Sequence, residues 1–220
     1  MLAAILAVAV PVDAGSGDSE REPVVLPNPD TTGSMTVEQA LARRRSVRSY
    51  ESATLSMVEV GQLLWAAQGE TQPRTGYRTA PSAGATFPLE LYLVAGRVDG
   101  LPPGLYRYRP RHHELEMVSS RDMRNALHSA ALRQPMILHA PIVLVITSVT
   151  ERTAARYGER AVRYVAMEAG HASQNVYLQA IALGLGTVAV GAFDDQEIAR
   201  VLGLPDGEQP LYLMPVGLTH

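Results

Sequence analysis

The sequence predicts a single α+β domain, on three observations. Helical and strand patterns interleave from Thr36 to Gly217 without the regular alternation of a doubly wound fold. Ile142 to Thr147 is a continuous apolar run of strand length, the pattern of a strand buried on both faces. Arg160 to Leu183 is the longest helical pattern; its stretch from Ala166 to Ala182 carries Ala, Gly and Ser on several sides, which suits a central core or a subunit interface. A chain of 220 residues, 46% of them hydrophobic, is long enough for one well-buried domain, and no internal repeat divides it.

Leu2 to Val10 is an unbroken apolar run of nine, followed by Pro11 and the small-x-Ala sequence Val12-Asp13-Ala14. Residues 1–14 are too short to span a bilayer. They read as a signal-peptide apolar region lacking its positive flank, or as a hydrophobic arm that packs on the domain or a partner. The first reading implies export to the periplasm, the second a cytoplasmic protein. Residues 15–35, rich in Gly, Ser, Pro and Asp, read as a flexible linker ahead of a domain at 36–220.

The first helix is predicted over Thr36 to Arg45, with Thr36 and Gln39 as a capping box and Val37, Ala40 and Leu41 as its apolar stripe. Ser56 and Glu59 repeat the box, and Val60, Leu63, Leu64 and Ala67 mark a second helix ending near Gly69. Gln72 to Ala80 is polar and turn-like. Leu89 to Ala95 alternates as a strand, and Leu105 to Tyr108 with Glu114 to Val118 forms a hairpin around Pro110. Arg121 to Arg133 is helical in pattern. Thr187 to Val190 and Leu211 to Val216 are further strands, separated by a short helix capped by Asp194 or Asp195.

Composition and motifs exclude several classes of function. A net charge of −3 disfavours a general nucleic-acid binder. The absence of cysteine removes thiol nucleophiles and cysteine-ligated metals. Gly184-x-Gly186 follows a helix and enters a strand, the reverse of the order a dinucleotide-binding turn needs. Glu168 and His171 have the spacing of a di-iron ligand pair but lack a second copy, and Ser82 lacks the Gly-x-Ser-x-Gly context of an activated nucleophile. No metal site is expected. What remains is Arg43-Arg44-Arg45-Ser46-Val47-Arg48 at a helix end. Clustered guanidiniums repel one another, and their planar donor forks suit a phosphate. With Gly-rich turns elsewhere, the pattern fits a protein whose cofactor performs the chemistry.

Arg44-x-Ser46-x-Arg48, Pro81-Ser82-Ala83-Gly84-Ala85 and the run Gly184 to Phe193 occur in that order. Together they resemble the nitroreductase-like flavoprotein family, most closely its azoline-oxidase-like (SagB-type) dehydrogenase branch, over Val37 to Gly217. The resemblance implies a central mixed or antiparallel sheet surrounded by helices, and a homodimer with FMN sites at the interface. It implies an oxidoreductase that passes a hydride through flavin N5, with a small-molecule substrate left unspecified. It assigns Arg44 and Ser46 to the FMN phosphate, Arg48 to the ribityl and pyrimidine side, and Arg45 to the cofactor site without a specified contact. Pro81, Ser82, Ala83 and Gly84 would reach the flavin from the partner subunit, and the backbone at Gly191 and Ala192 would face N5. A flavin-binding protein without turnover and a flavin-free dimeric scaffold are the alternatives.

Three departures from the family pattern stand out. Ala85 replaces a frequent Asn, a form typical of the azoline-oxidase-like branch. Pro215-Val216-Gly217 is followed by Leu218-Thr219-His220, with no basic residue to assist the phosphate. Arg156-Tyr157 stands where azoline oxidases carry a Lys-Tyr pair for proton removal; Arg stays protonated, its pKa exceeding about 12, which leaves Tyr157 as the candidate catalytic group.

Overall fold

A computed structural model describes residues 22–219. The leader or arm expected at 1–14 lies outside them. The elements run β1 (Val24–Val25), α1 (Val37–Arg43), α2 (Met57–Gln68), β2 (Glu70–Gln72), β3 (Tyr77–Arg78), β4 (Leu89–Ala95), β5 (Gly104–Arg109) and β6 (Glu114–Ser119). There follow α3 (Arg124–Ala130), α4 (Pro135–His139), β7 (Ile142–Val149), α5 (Glu151–Tyr157), α6 (Ala161–Ala182), β8 (Leu185–Thr187), α7 (Asp195–Leu202) and β9 (Glu208–Leu218).

Both capping boxes form. The Thr36 and Ser56 side chains accept from the backbone of Gln39 and Glu59, whose side chains return to the cap backbone. The main sheet has the order β1-β6-β5-β4-β7-β9-β8, and its named strands all pair antiparallel. β7 lies inside it, as its unbroken apolar run requires. Ile142, Leu144 and Ile146 join the core under α2 and α6, while Val143 and Val145 join the core under α3, α4 and α7. The result is three layers, α/β/α, with α6 lying along one face.

Some elements differ from expectation. The helix expected over 121–133 is broken: α3 ends at Ala130, Leu132 and Arg133 take positive φ, and Pro135 starts α4. Gln72 to Ala80 is not wholly loop, because β2 and β3 pair as a small hairpin. The stretch expected as linker holds structure over its described part. Val24–Val25 pairs with Leu115 and Glu114, Leu26 is buried, and the backbone of Asp30 exchanges two hydrogen bonds with the buried Gln62 amide. Pro and Gly composition alone hid these local pairings.

Among the described residues no helix is long and apolar enough to cross a membrane. One side of α6 is buried through Val165, Ala169, Ala172, Val176 and Ala180. The other leaves Val162, Met167 and His171 exposed, so the helix is half-covered within the chain rather than buried all round.

Candidate functional site

The Arg-Ser run lies where α1 gives way to an extended segment. Arg44 is the C-cap, with φ −52° and ψ 124°, and its N–H closes the helix on the Ala40 carbonyl. Arg45 turns back: one guanidinium nitrogen donates to the carbonyls of Ala42 and Arg44 at 3.0 and 2.8 Å, satisfying groups the helix end leaves open. The chain then runs beside β8. Ser46 forms a parallel bridge with Thr187, and the Val47 N–H donates to the Thr187 carbonyl at 2.9 Å. Gly186 permits this approach, since a Cβ there would come within 2.8 Å of Val47 Cβ.

Tyr177 of α6 ties the run to the C-terminal turn. The Arg44 guanidinium stacks 5.2 Å from its ring centroid, and its hydroxyl lies 3.0 Å from Ser46 Oγ. The same hydroxyl accepts from the Ala189 N–H at 2.8 Å. Beyond Ala189, Val190 pairs with Leu213 and the chain emerges at Gly191 and Ala192, both exposed. The Ala192 carbonyl accepts from the Gln134 amide at 2.8 Å, whereas neither the Gly191 nor the Ala192 N–H donates within the described residues. Tyr177 thus links Arg44 and Ser46 to the segment that leads through Ala189 to Gly191 and Ala192. Arg48 is exposed on the same segment.

Pro81 to Gly84 forms a second locus, on the N-terminal half of α6. The buried Glu168 carboxyl faces the Ser82 side chain and the Ala83 backbone, polar groups that favour its charged form. Burial pushes its carboxyl above the ordinary range, these polar neighbours opposing the shift, and among the described residues Oε1 has no hydrogen-bond partner. Ser82 Oγ also accepts from the Phe87 N–H at 2.9 Å. Gly84 has φ +60°, and a Cβ there would lie 2.7 Å from Tyr157 Oη; its carbonyl accepts from Arg156 at 3.2 Å. The Arg156-Tyr157 pair thus packs on this segment, with Tyr157 edge-on to Tyr164 at 5.0 Å. Glu168 and Tyr177, nine residues apart on α6, are separated by roughly 13 Å along the axis at about 1.5 Å per residue.

Three features were not read from the sequence. Tyr177 was one of two tyrosines in a small-residue helix and carried no motif. Glu168 was read only against His171, yet it is buried while His171 is exposed, so the two do not converge. Gln134, which pins the Ala192 turn, lies just before a helix that was not foreseen.

The comparisons with known proteins agree with this architecture. The nitroreductase family model matches residues 41–218. A nitroreductase-type protein of Methanocaldococcus jannaschii, MJ1384, is 49% identical over 181 residues, covering 82% of this chain and 90% of that protein. The solved structure of a nitroreductase-type protein from Ralstonia eutropha JMP134 superposes with a TM-score of 0.81 at 30% identity, covering 92% of this chain and 91% of the other. The microcin B17-processing protein McbC of Escherichia coli is 27% identical over 155 residues, which span 68% of this chain and 57% of McbC. With its helix-flanked antiparallel sheet, its matched span and its archaeal relative, this chain belongs to the nitroreductase family.

Proposed function

We propose that the protein is an FMN-dependent oxidoreductase working as a homodimer, of the SagB-type dehydrogenase kind. The observation that carries the reading is the Tyr177 locus. A guanidinium and a hydroxyl are oriented by one tyrosine, on the segment leading to a turn whose two backbone donors find no acceptor among the described residues. Those residues fit a phosphate at one end and a ring nitrogen at the other, so the site suits FMN.

In this reading Arg44 and Ser46 hold the phosphate, Arg44 as a permanent cation and Ser46 as a short-range donor. Tyr177 positions both. Arg45 fastens the end of α1, so any share it has in the phosphate comes through the placement of Arg44. Arg48 adds a second fixed positive charge. The N–H groups of Gly191 and Ala192 supply backbone donors, and Gln134 fixes their turn. FMN, when bound, supplies the hydride-accepting and hydride-donating chemistry through N5. The protein contributes binding, orientation and charge.

Pro81, Ser82, Ala83 and Gly84 face α6 at Glu168 rather than at Tyr177, and in this reading they complete the flavin site of a partner. The exposed side of α6, with Val162 and Met167, supplies apolar surface for that association. Tyr157, against Gly84, comes with this segment and is the group placed to give or take a proton from substrate. Its neighbour Arg156 orients the loop by donating to the Gly84 carbonyl.

The test is anaerobic mixing of FMN-loaded protein with a reduced nicotinamide or dithionite, followed by an electron acceptor. Bleaching and re-oxidation over repeated cycles support a catalyst. A flavin spectrum that neither bleaches nor recovers sinks the catalytic reading and leaves a flavin carrier.

A further inference from the structure

A cavity of about 310 Å³ opens between the β2–β3 hairpin and the turn from β5 to β6, lined by Arg78, Phe87, Arg109, Arg111, His112 and Glu70. It shares no lining residue with the flavin site proposed above. Its charge is unbalanced. Arg109 is paired with Glu116, but Arg111 makes no hydrogen bond or ion pair within the described residues. Arg78 is half-buried and among the described residues has no carboxylate within ion-pair distance; its hydrogen bond goes to the Gln68 side-chain carbonyl at 2.9 Å. The acidic groups in its field are committed elsewhere. Glu90 binds Arg107 and Arg152 at 2.9 and 2.6 Å, and burial favours the neutral form of Glu168. Glu70 on the cavity wall offsets one cation only.

A guanidinium withdrawn from water without a counter-charge is costly unless a partner completes it. Here it is held ready. The Arg78 guanidinium lies 4.6 Å from the Phe87 ring centroid, which fixes its plane. Phe87 has φ +45°, a left-handed conformation unfavourable for a bulky residue. It is kept there by its N–H on Ser82 Oγ and by Arg152, which donates to its carbonyl at 3.1 Å. Strain, an aromatic wall and an uncompensated cation converge on one opening.

We propose that this cavity binds a small organic anion, a carboxylate or phosphate monoester, whose charge is met by Arg78 and Arg111 and whose apolar part rests against Phe87. Because the two headgroups share one chemistry, benzoate and phenyl phosphate serve as probes. Each is titrated calorimetrically into the full chain with FMN in excess, so that the phosphate site at Arg44 and Ser46 is filled, then into Arg78→Gln, Arg111→Ala and Arg121→Ala under the same conditions. One equivalent is expected per chain, weakened at least about tenfold by Arg78→Gln through loss of a charge-assisted contact. Arg111→Ala should weaken it less, and Arg121→Ala, an exposed arginine outside the cavity, should retain it. The tighter probe identifies the headgroup. Arg111 is exposed on a turn, so its variant tests the site even if Arg78→Gln fails to fold. Absence of binding by both probes, affinity unchanged in both cavity variants, or loss in Arg121→Ala alone would each overturn the proposal.

Discussion

The two ends of α6 solve different problems. At Tyr177 the surroundings are open: Ser46, Gly191 and Ala192 are exposed, and the Gly191 and Ala192 N–H groups find no acceptor among the described residues. At Glu168 they are closed and over-determined, with Ser82, Ala83, Thr86, Phe87 and Gly84 each bonded to α5, α6 or one another, and with Gly84, Ala85 and Phe87 all at positive φ. An open end can receive a ligand. A closed end can present a rigid edge to a neighbour. Glycine therefore has opposite meanings at the two ends, and substitution separates them.

The largest effect is expected from Gly84→Ala. It forces a Cβ into the left-handed region and against Tyr157 Oη, so a loss of about 1–2 kcal/mol or more is expected in chemical denaturation. Gly191→Ala is the counterpart. Its Cβ would meet Tyr212 at 3.6 Å, an ordinary contact, so stability should stay within about 0.5 kcal/mol while flavin retention on gel filtration falls. Equal stability losses in the two variants would break the comparison.

Next comes Tyr177→Phe, which keeps the ring under Arg44 but deletes the hydroxyl shared by Ser46 and the Ala189 N–H. A cost of about 1–3 kcal/mol is expected from the unsatisfied donor, together with weaker FMN binding in a fluorescence titration. A smaller effect is expected from Glu168→Gln. Burial raises the Glu168 carboxyl in the folded state, so the stability linked to its protonation is fully present at low pH. That stability is lost as pH rises through the folded value. The glutamine variant should therefore gain thermal stability relative to wild type as pH rises, and a difference independent of pH would contradict the buried-acid account.

The smallest effect concerns the N-terminal segment. His113 bridges Tyr108 Oη at 2.8 Å and the Pro27 carbonyl at 2.9 Å, and burial holds its imidazole below the ordinary value near 6.5. The neutral ring is favoured in the fold, so its contribution is present above that pH and lost as pH falls below it. Lower amide protection over residues 24–30, relative to the intrinsic exchange rate at each pH, is expected at mildly acidic pH. His113→Ala should abolish the pH dependence.

Much of this contrast was legible in the chain. Capping boxes at Thr36 and Ser56 carry their own local signal, and the unbroken run of β7 could be satisfied only inside a sheet. The Arg-Ser run stands out locally as clustered like charge, whereas the Gly191-Ala192 turn was singled out only through the family resemblance. Tyr177 and Gln134 were not, since they act across long sequence separations on groups that carry no pattern of their own. The strand at Val24–Val25 was masked by neighbouring Pro and Asp, its pairing with β6 being a tertiary property.

The central claim is that Arg44 and Ser46 hold a flavin phosphate. Its most direct test is the visible absorption of protein loaded with FMN and then dialysed, for wild type and for Arg44→Ala with Ser46→Ala. The account predicts a two-band flavin spectrum at one FMN per chain for wild type, and a colourless but folded double variant. A double variant that keeps its flavin in full, or a wild type that ignores added FMN, would contradict it.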